Sequence, residues 1–164
     1  MASQNRFLIL GIGNEILTDD GIGPKIVKVL SKKFEGMGAD FLTCSLGGLD
    51  VLELIKDYEA VVLIDAIRTK GGIPGDVYLF EPSDFKETLH LSNLHDIDFL
   101  TALKLGEQLN MNVPSWVRIV AVEIIEDLVF SNEFTEPLKK RYPAILKEVE
   151  EFIREEMFIL KVQT

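Results

Sequence analysis

Short unbroken apolar runs alternate along this chain with segments whose apolar residues recur at helical spacing, the pattern of a sheet covered by helices on both faces. Phe7 to Leu10 is the first such run and predicts a central strand. Pro24 to Phe34 follows as a helix with Ile26, Val27, Leu30 and Phe34 on one face. Pro24 is tolerated in its first turn, where the missing N–H would have no intrahelical partner. Gly36 and Gly38 stop that helix. Phe41 to Ser45 predicts a second strand, and Leu49 to Ile55 a second helix introduced by Gly47-Gly48. Ala60 to Ile64 is a third strand, apolar throughout and ending at Asp65.

The link from Arg68 through Gly75 is rich in glycine and too short to hold a crossover helix. A hairpin follows, with Asp76 to Glu81 antiparallel to the third strand. Glu81 to Asn93 is polar and irregular, a length of loop that in a compact domain points to function or mobility. Asp96 to Leu109 has helical period through Ile97, Leu100 and Leu103, and Val117 to Val122 is a fifth strand ending near Glu123. Thr135 to Val162 is helical, with Leu138, Ile145, Val149, Phe152 and Ile153 facing inward and Pro143 expected to bend it or mark a restart. With no repeat or linker to divide them, the 164 residues read as one domain. The amphipathic last helix can pack on its own sheet or on a partner; its own sheet is favoured, and a monomer is expected.

Composition narrows the class. At 47% hydrophobic and 27% charged residues the chain has a large core. Its formal charge of −10 argues against nucleic acid and anionic membrane as partners, since both need clustered Lys and Arg. The single cysteine, Cys44, excludes an intramolecular disulfide and suits a half-buried strand position in a reducing compartment. Phe7 to Leu10 is far too short for a signal peptide and no apolar run reaches the ~20 residues of a membrane span, so a cytoplasmic protein is expected.

The candidate chemistry lies in Gly11-Ile12-Gly13-Asn14-Glu15-Ile16-Leu17-Thr18-Asp19-Asp20-Gly21-Ile22-Gly23, a loop between a buried strand and a helix. In an α/β sheet such a loop sits in the crevice at the carboxyl ends of the strands, where ligands bind. A dinucleotide fingerprint fails, because Ile16 stands where the third glycine belongs and two carboxylates would repel a pyrophosphate. One acid suffices to cap the following helix, a role that suits Asp19 and leaves Asp20 spare. Asp65 ends its strand at the same sheet edge, facing a solvent-lined crevice, and its burial would be costly without a cation or donors. The two histidines, His90 and His95, are both able to supply a neutral imidazole. Two carboxylates and one imidazole suit a borderline divalent ion such as nickel or zinc better than magnesium. Neither a Gly-x-Ser-x-Gly elbow nor a His-Glu-x-x-His site is present, so any hydrolysis here would use carboxylates or a metal.

The Gly11–Gly23 run with its Gly-Asn-Glu and Asp-Asp-Gly elements, then Ile64-Asp65-Ala66, then His95 before a helix, resembles the [NiFe]-hydrogenase maturation endopeptidases. Pro74-Gly75-Asp76 and the helix following Leu138 extend the resemblance over nearly the whole chain. It implies a three-layer α/β/α sandwich of the phosphorylase/hydrolase-like kind, with a mixed sheet of about five strands, one of them antiparallel. The implied activity is removal of a short C-terminal extension from a hydrogenase large-subunit precursor after nickel insertion, by an aspartic-type, nickel-dependent endopeptidase. The family's metal contacts fall on Asp20, Asp65 and His95, with Asp20 or Asp65 as the general base; the nickel belongs to the substrate and no permanent cofactor is expected. Asp20 stands where many members carry Glu, which shortens the reach, and Cys44-Ser45-Leu46-Gly47-Gly48 replaces a common Asp-Gly-Gly-Thr type turn. A non-catalytic metal-sensing or assembly factor would use the same three ligands, and only product formation separates the two readings.

Overall fold

A computed structural model of the protein describes residues 7–45, 47–84, 88–91 and 98–163. Its strands are β1 (Phe7–Ile12), β2 (Ala39–Cys44), β3 (Ala60–Ile67), β4 (Val77–Phe80) and β5 (Trp116–Glu123). Its helices are α1 (Ile22–Lys33), α2 (Gly48–Ile55), α3 (Phe99–Gln108) and α4 (Glu136–Gln163). The strands form one sheet in the order β2-β1-β3-β5-β4, parallel except for β4, which runs antiparallel to β5. This is the mixed α/β sandwich that the alternation of apolar runs and helical periods predicts.

Alternate strand residues divide between two cores. Phe7, Ile9, Ala60, Val62, Ile64, Val120 and Val122 pack under α1 and α4. On the other face Leu8, Leu10, Ile12, Val61, Leu63, Val117 and Ile119 pack under α2 and α3. β1 and β3 are buried along their whole length, whereas the edge strands β2 and β4 are half-exposed. Because β1 leads through α1 to β2 on one side while β3 leads to β5 and β4 on the other, the chain diverges between β1 and β3. Such a divergence is where α/β sheets bind ligands, in the crevice at the carboxyl ends of the strands.

The expected hairpin is not present. β4 pairs with β5, from Val77 opposite Val122 to Phe80 opposite Ile119, and β5 lies between β4 and β3. The glycine-rich link spans the width of β5, anchored where Gly75 N–H donates to the Glu123 carbonyl and Glu123 N–H to that of Asp76. Burial explains the order: the apolar stretch Ile119 to Val122 of β5 suits an interior position, and β4, with Leu79 51% exposed, suits an edge. β3 extends to Ile67, so Asp65 lies within the strand and not at its end. α3 begins at Phe99, where the Asp98 carboxylate accepts from Thr101 N–H. α4 continues through Pro143 without a restart. Among the described residues no helix is long and apolar enough to cross a membrane.

α1 lies against the sheet at Gly23, where a Cβ would overlap the Ile64 carbonyl oxygen and come within 2.8 Å of that of Ile12. Backbone cannot yield there as a side-chain tip would. Gly23→Ala is therefore expected to cost about 1–3 kcal/mol, the usual range for overpacking. A denaturant melt giving the wild-type midpoint would contradict this close approach.

Candidate active site at the β1–β3 crevice

The loop after β1 folds into a 3-10 turn at Thr18–Gly21 that places Asp20 over the carboxyl end of the sheet, 3% exposed. Its Oδ2 accepts from Asn14 N–H at 2.8 Å, which draws the two ends of the loop together. Asp65 follows Val61 and Leu63 in the alternation of β3 and therefore sits on the α2–α3 side of the sheet. It is fully buried, which corrects the expectation of a solvent-facing carboxylate. A buried carboxylate must be met by donors. Asp65 Oδ1 accepts from Ala66 N–H at 2.8 Å, and Oδ2 from the Thr88 hydroxyl at 2.7 Å and His90 N–H at 3.2 Å.

His90 joins the two acids. Its Nδ1 is 2.7 Å from Asp65 Oδ1 and its Nε2 is 3.4 Å from Asp20 Oδ2. The turn that carries it is pinned on three sides. Leu89 N–H donates to the Ala66 carbonyl, Phe99 N–H donates to that of Leu91, and Leu91 is buried in the core under α2 and α3. Gly47 completes the seat, because a Cβ there would overlap the His90 carbonyl oxygen. Burial alone would push the His90 pKa down, but hydrogen bonds and charge from Asp20 and Asp65 outweigh it and push it up to about 10. His90 is thus an imidazolium between two carboxylates at neutral pH.

His95 lies outside the described residues, as do the other residues from 92 to 97. Of the expected site residues, Asp20 and Asp65 come together, and the imidazole in contact with both is His90. Thr88, which sequence reasoning passed over, completes the shell of Asp65; its signal was a hydroxyl two residues before a histidine in an otherwise irregular loop. Among the described residues no three His, Cys, Asp or Glu side chains are arranged to hold a metal ion. The arrangement offers a pair of carboxylates that accept a proton or a cation between them.

Asp19 does not cap α1, whose first turn has no side-chain cap. Its fully buried carboxylate turns the other way, accepting from Ile125 and Glu126 N–H at 3.2 Å each and from Thr135 N–H at 2.8 Å, with the Thr135 hydroxyl also in reach. The loop between β5 and α4 converges on it, and this long-range demand overrides the local one.

Similarity to known proteins identifies the family. The model of one family, HycI, hydrogenase maturation protease, matches residues 24–152. The chain belongs to the hydrogenase maturation protease family. It is 31% identical over 106 residues to the hydrogenase 2 maturation protease of Escherichia coli K12, covering 60% of this chain and 63% of that protein. It is 26% identical over 149 residues to the hydrogenase expression/formation protein HupD of Thiocapsa roseopersicina, covering 88% of this chain and 66% of the relative. The chain thus spans a little under two thirds of both relatives. The hydrogenase maturating endopeptidase HybD from Escherichia coli has the same fold, with a TM-score of 0.71 at 23% identity over 92% of this chain and 93% of that one.

Two predictions follow from the charges. The folded-state pKa of His90 is raised, so its contribution to stability is fully present below about 6.5, the unfolded value, and is lost as pH rises through about 10. An NMR titration of the His90 ring should give a midpoint near 10, and one near 6.5 would contradict the carboxylate contacts. Asp19→Ala should leave the Ile125, Glu126 and Thr135 amides without their acceptor and cost about 1–3 kcal/mol. Hydrogen exchange should quicken at those three amides ahead of the rest of the loop; unchanged protection would contradict the anchor.

Proposed function

We propose that the protein is an endopeptidase that removes the C-terminal extension of a [NiFe]-hydrogenase large-subunit precursor after nickel insertion, reading the nickel with Asp20, Asp65 and His95. The observation that carries this reading is the meeting of Asp20 and Asp65, from two separate elements, over one imidazole at the crevice where α/β sheets bind ligands. Family membership supplies the reaction class. The names of the relatives speak of maturation, expression and formation of hydrogenases. No resident metal is required, because the ion arrives as part of the substrate.

Two carboxylates and an imidazole suit a borderline divalent ion. Asp65 Oδ1 and Asp20 Oδ2 are the oxygens His90 touches. A nickel ion taking both therefore displaces the His90 ring, and His95 supplies the nitrogen donor. The nickel fixes the precursor's scissile peptide in the crevice and polarises its carbonyl or a water. Asp65 has both oxygens engaged by donors and acts as a ligand held in place. Asp20, whose carboxylate accepts fewer of those hydrogen bonds, is the general base.

The test is processing of nickel-loaded and nickel-free precursors, with the product mass read by mass spectrometry. Loss of a C-terminal peptide from the loaded form alone is expected. An intact loaded precursor that still binds would make the protein an assembly factor. Asp20→Asn and His95→Ala should each lower kcat by more than the about 10–100-fold seen for outer-shell partners of metals. His90→Ala should keep most activity, and the reverse order of the two histidine variants would make His90 the ligand.

A further inference from the structure

Large apolar side chains protrude beside the crevice. Leu128 is 77% exposed, Phe130 76%, Val129 58%, Ile16 50% and Ile125 39%. They lie on two strands of loop held to each other: Ser131 N–H donates to the Ile16 carbonyl and Thr18 N–H to that of Ser131, both at 3.0 Å, and Leu17 bridges to Ser131. The tip between them is also fixed. Leu128 and Val129 N–H both donate to Glu126 Oε1 at 2.8 Å, the Thr18 hydroxyl donates to the Val129 carbonyl, and Arg68 pairs with Asp127 at 2.7 Å. Exposed apolar groups on a backbone this well satisfied are presented in one arrangement, and binding them loses little conformational freedom. Grouped apolar exposure of this kind marks an interaction surface.

Resting on the endopeptidase reading, we propose that Ile16, Ile125, Leu128, Val129 and Phe130 form the surface on which the precursor protein docks, through an apolar hollow beside its metal. Continuity with the site selects this occupant. Thr18 and Asp19, which hold the tip, belong to the same turn as Asp20, so a protein seated on the tip is brought against Asp20. A protein substrate must cover this turn to deliver its peptide. A second copy of this chain is the poorer occupant, because two chains of charge −10 repel on approach. The flanking acids Glu15, Asp127 and Glu133 are matched by Lys28, Arg68 and Lys139. Contact at the tip is therefore apolar in character and insensitive to salt.

The experiment is steady-state processing of the nickel-loaded precursor by the wild-type chain, by the double variant Leu128→Ser with Phe130→Ser, and by Phe158→Ser, which alters an exposed phenylalanine of α4. The double variant should raise KM about tenfold or more at unchanged kcat, with the same ratio at low and high salt, while Phe158→Ser behaves as wild type. An unchanged KM in the double variant, with the wild type active, overturns the docking surface and leaves the endopeptidase reading standing. A fall in kcat at unchanged KM also overturns it, since the tip would then act through the geometry of Asp20. If sedimentation shows a wild-type dimer that the double variant dissociates, the occupant is a second copy and the proposal fails. A wild-type chain that neither binds nor cleaves any loaded precursor defeats the underlying reading itself.

Discussion

Among the described residues four carboxylates, those of Asp19, Asp20, Asp65 and Glu123, are buried at the carboxyl edge of this sheet, and the cost of burying charge without partners organises everything around them. Asp65 draws the Thr88–Leu91 turn over the end of β3 because its oxygens need more donors than the Ala66 N–H that the strand supplies. Asp19 gathers Ile125, Glu126 and Thr135 and so fixes the path from β5 to α4. Asp20 closes its own loop through Asn14 and shares His90 with Asp65. The packed cores beneath are what make the demand strict, since solvent is absent there to satisfy the oxygens.

Glycine lets the pieces come close enough for this. At Gly23 the backbone of α1 meets that of β3, which keeps the Asp20 turn seated over the sheet. At Gly47 the start of α2 makes room for the His90 backbone. Gly47 thus stands where the site needs a residue without a Cβ. A crevice built from loops on a rigid sheet can hold functional groups within tenths of an ångström while staying open to a large substrate.

Much of this was legible in the chain. The unbroken apolar runs of β1 and β3 and the spacing of Ile26, Val27 and Leu30 carry direct signatures of burial, and the two acids after β1 and the one in β3 lie at a single sheet edge in any parallel arrangement. The place of β5 was not legible, because a short glycine-rich link fits a hairpin or a step across one strand equally well. The destination of Asp19 was hidden for a different reason: its partners lie more than a hundred positions away, and local rules see only the nearby helix. Adjacency to a predicted helix favours His95 in the sequence, whereas α3 begins only at Phe99 and the imidazole in contact with Asp20 and Asp65 is that of His90, nine residues before it.

Whether the buried acids read another protein's ion is the central question for function. X-ray absorption at the nickel edge of the loaded precursor, recorded alone and in complex with this protein, addresses it most directly. The account predicts that nickel gains oxygen and nitrogen neighbours in the complex and that Asp20→Asn removes part of that gain. A nickel environment unchanged in a complex that demonstrably forms would contradict it.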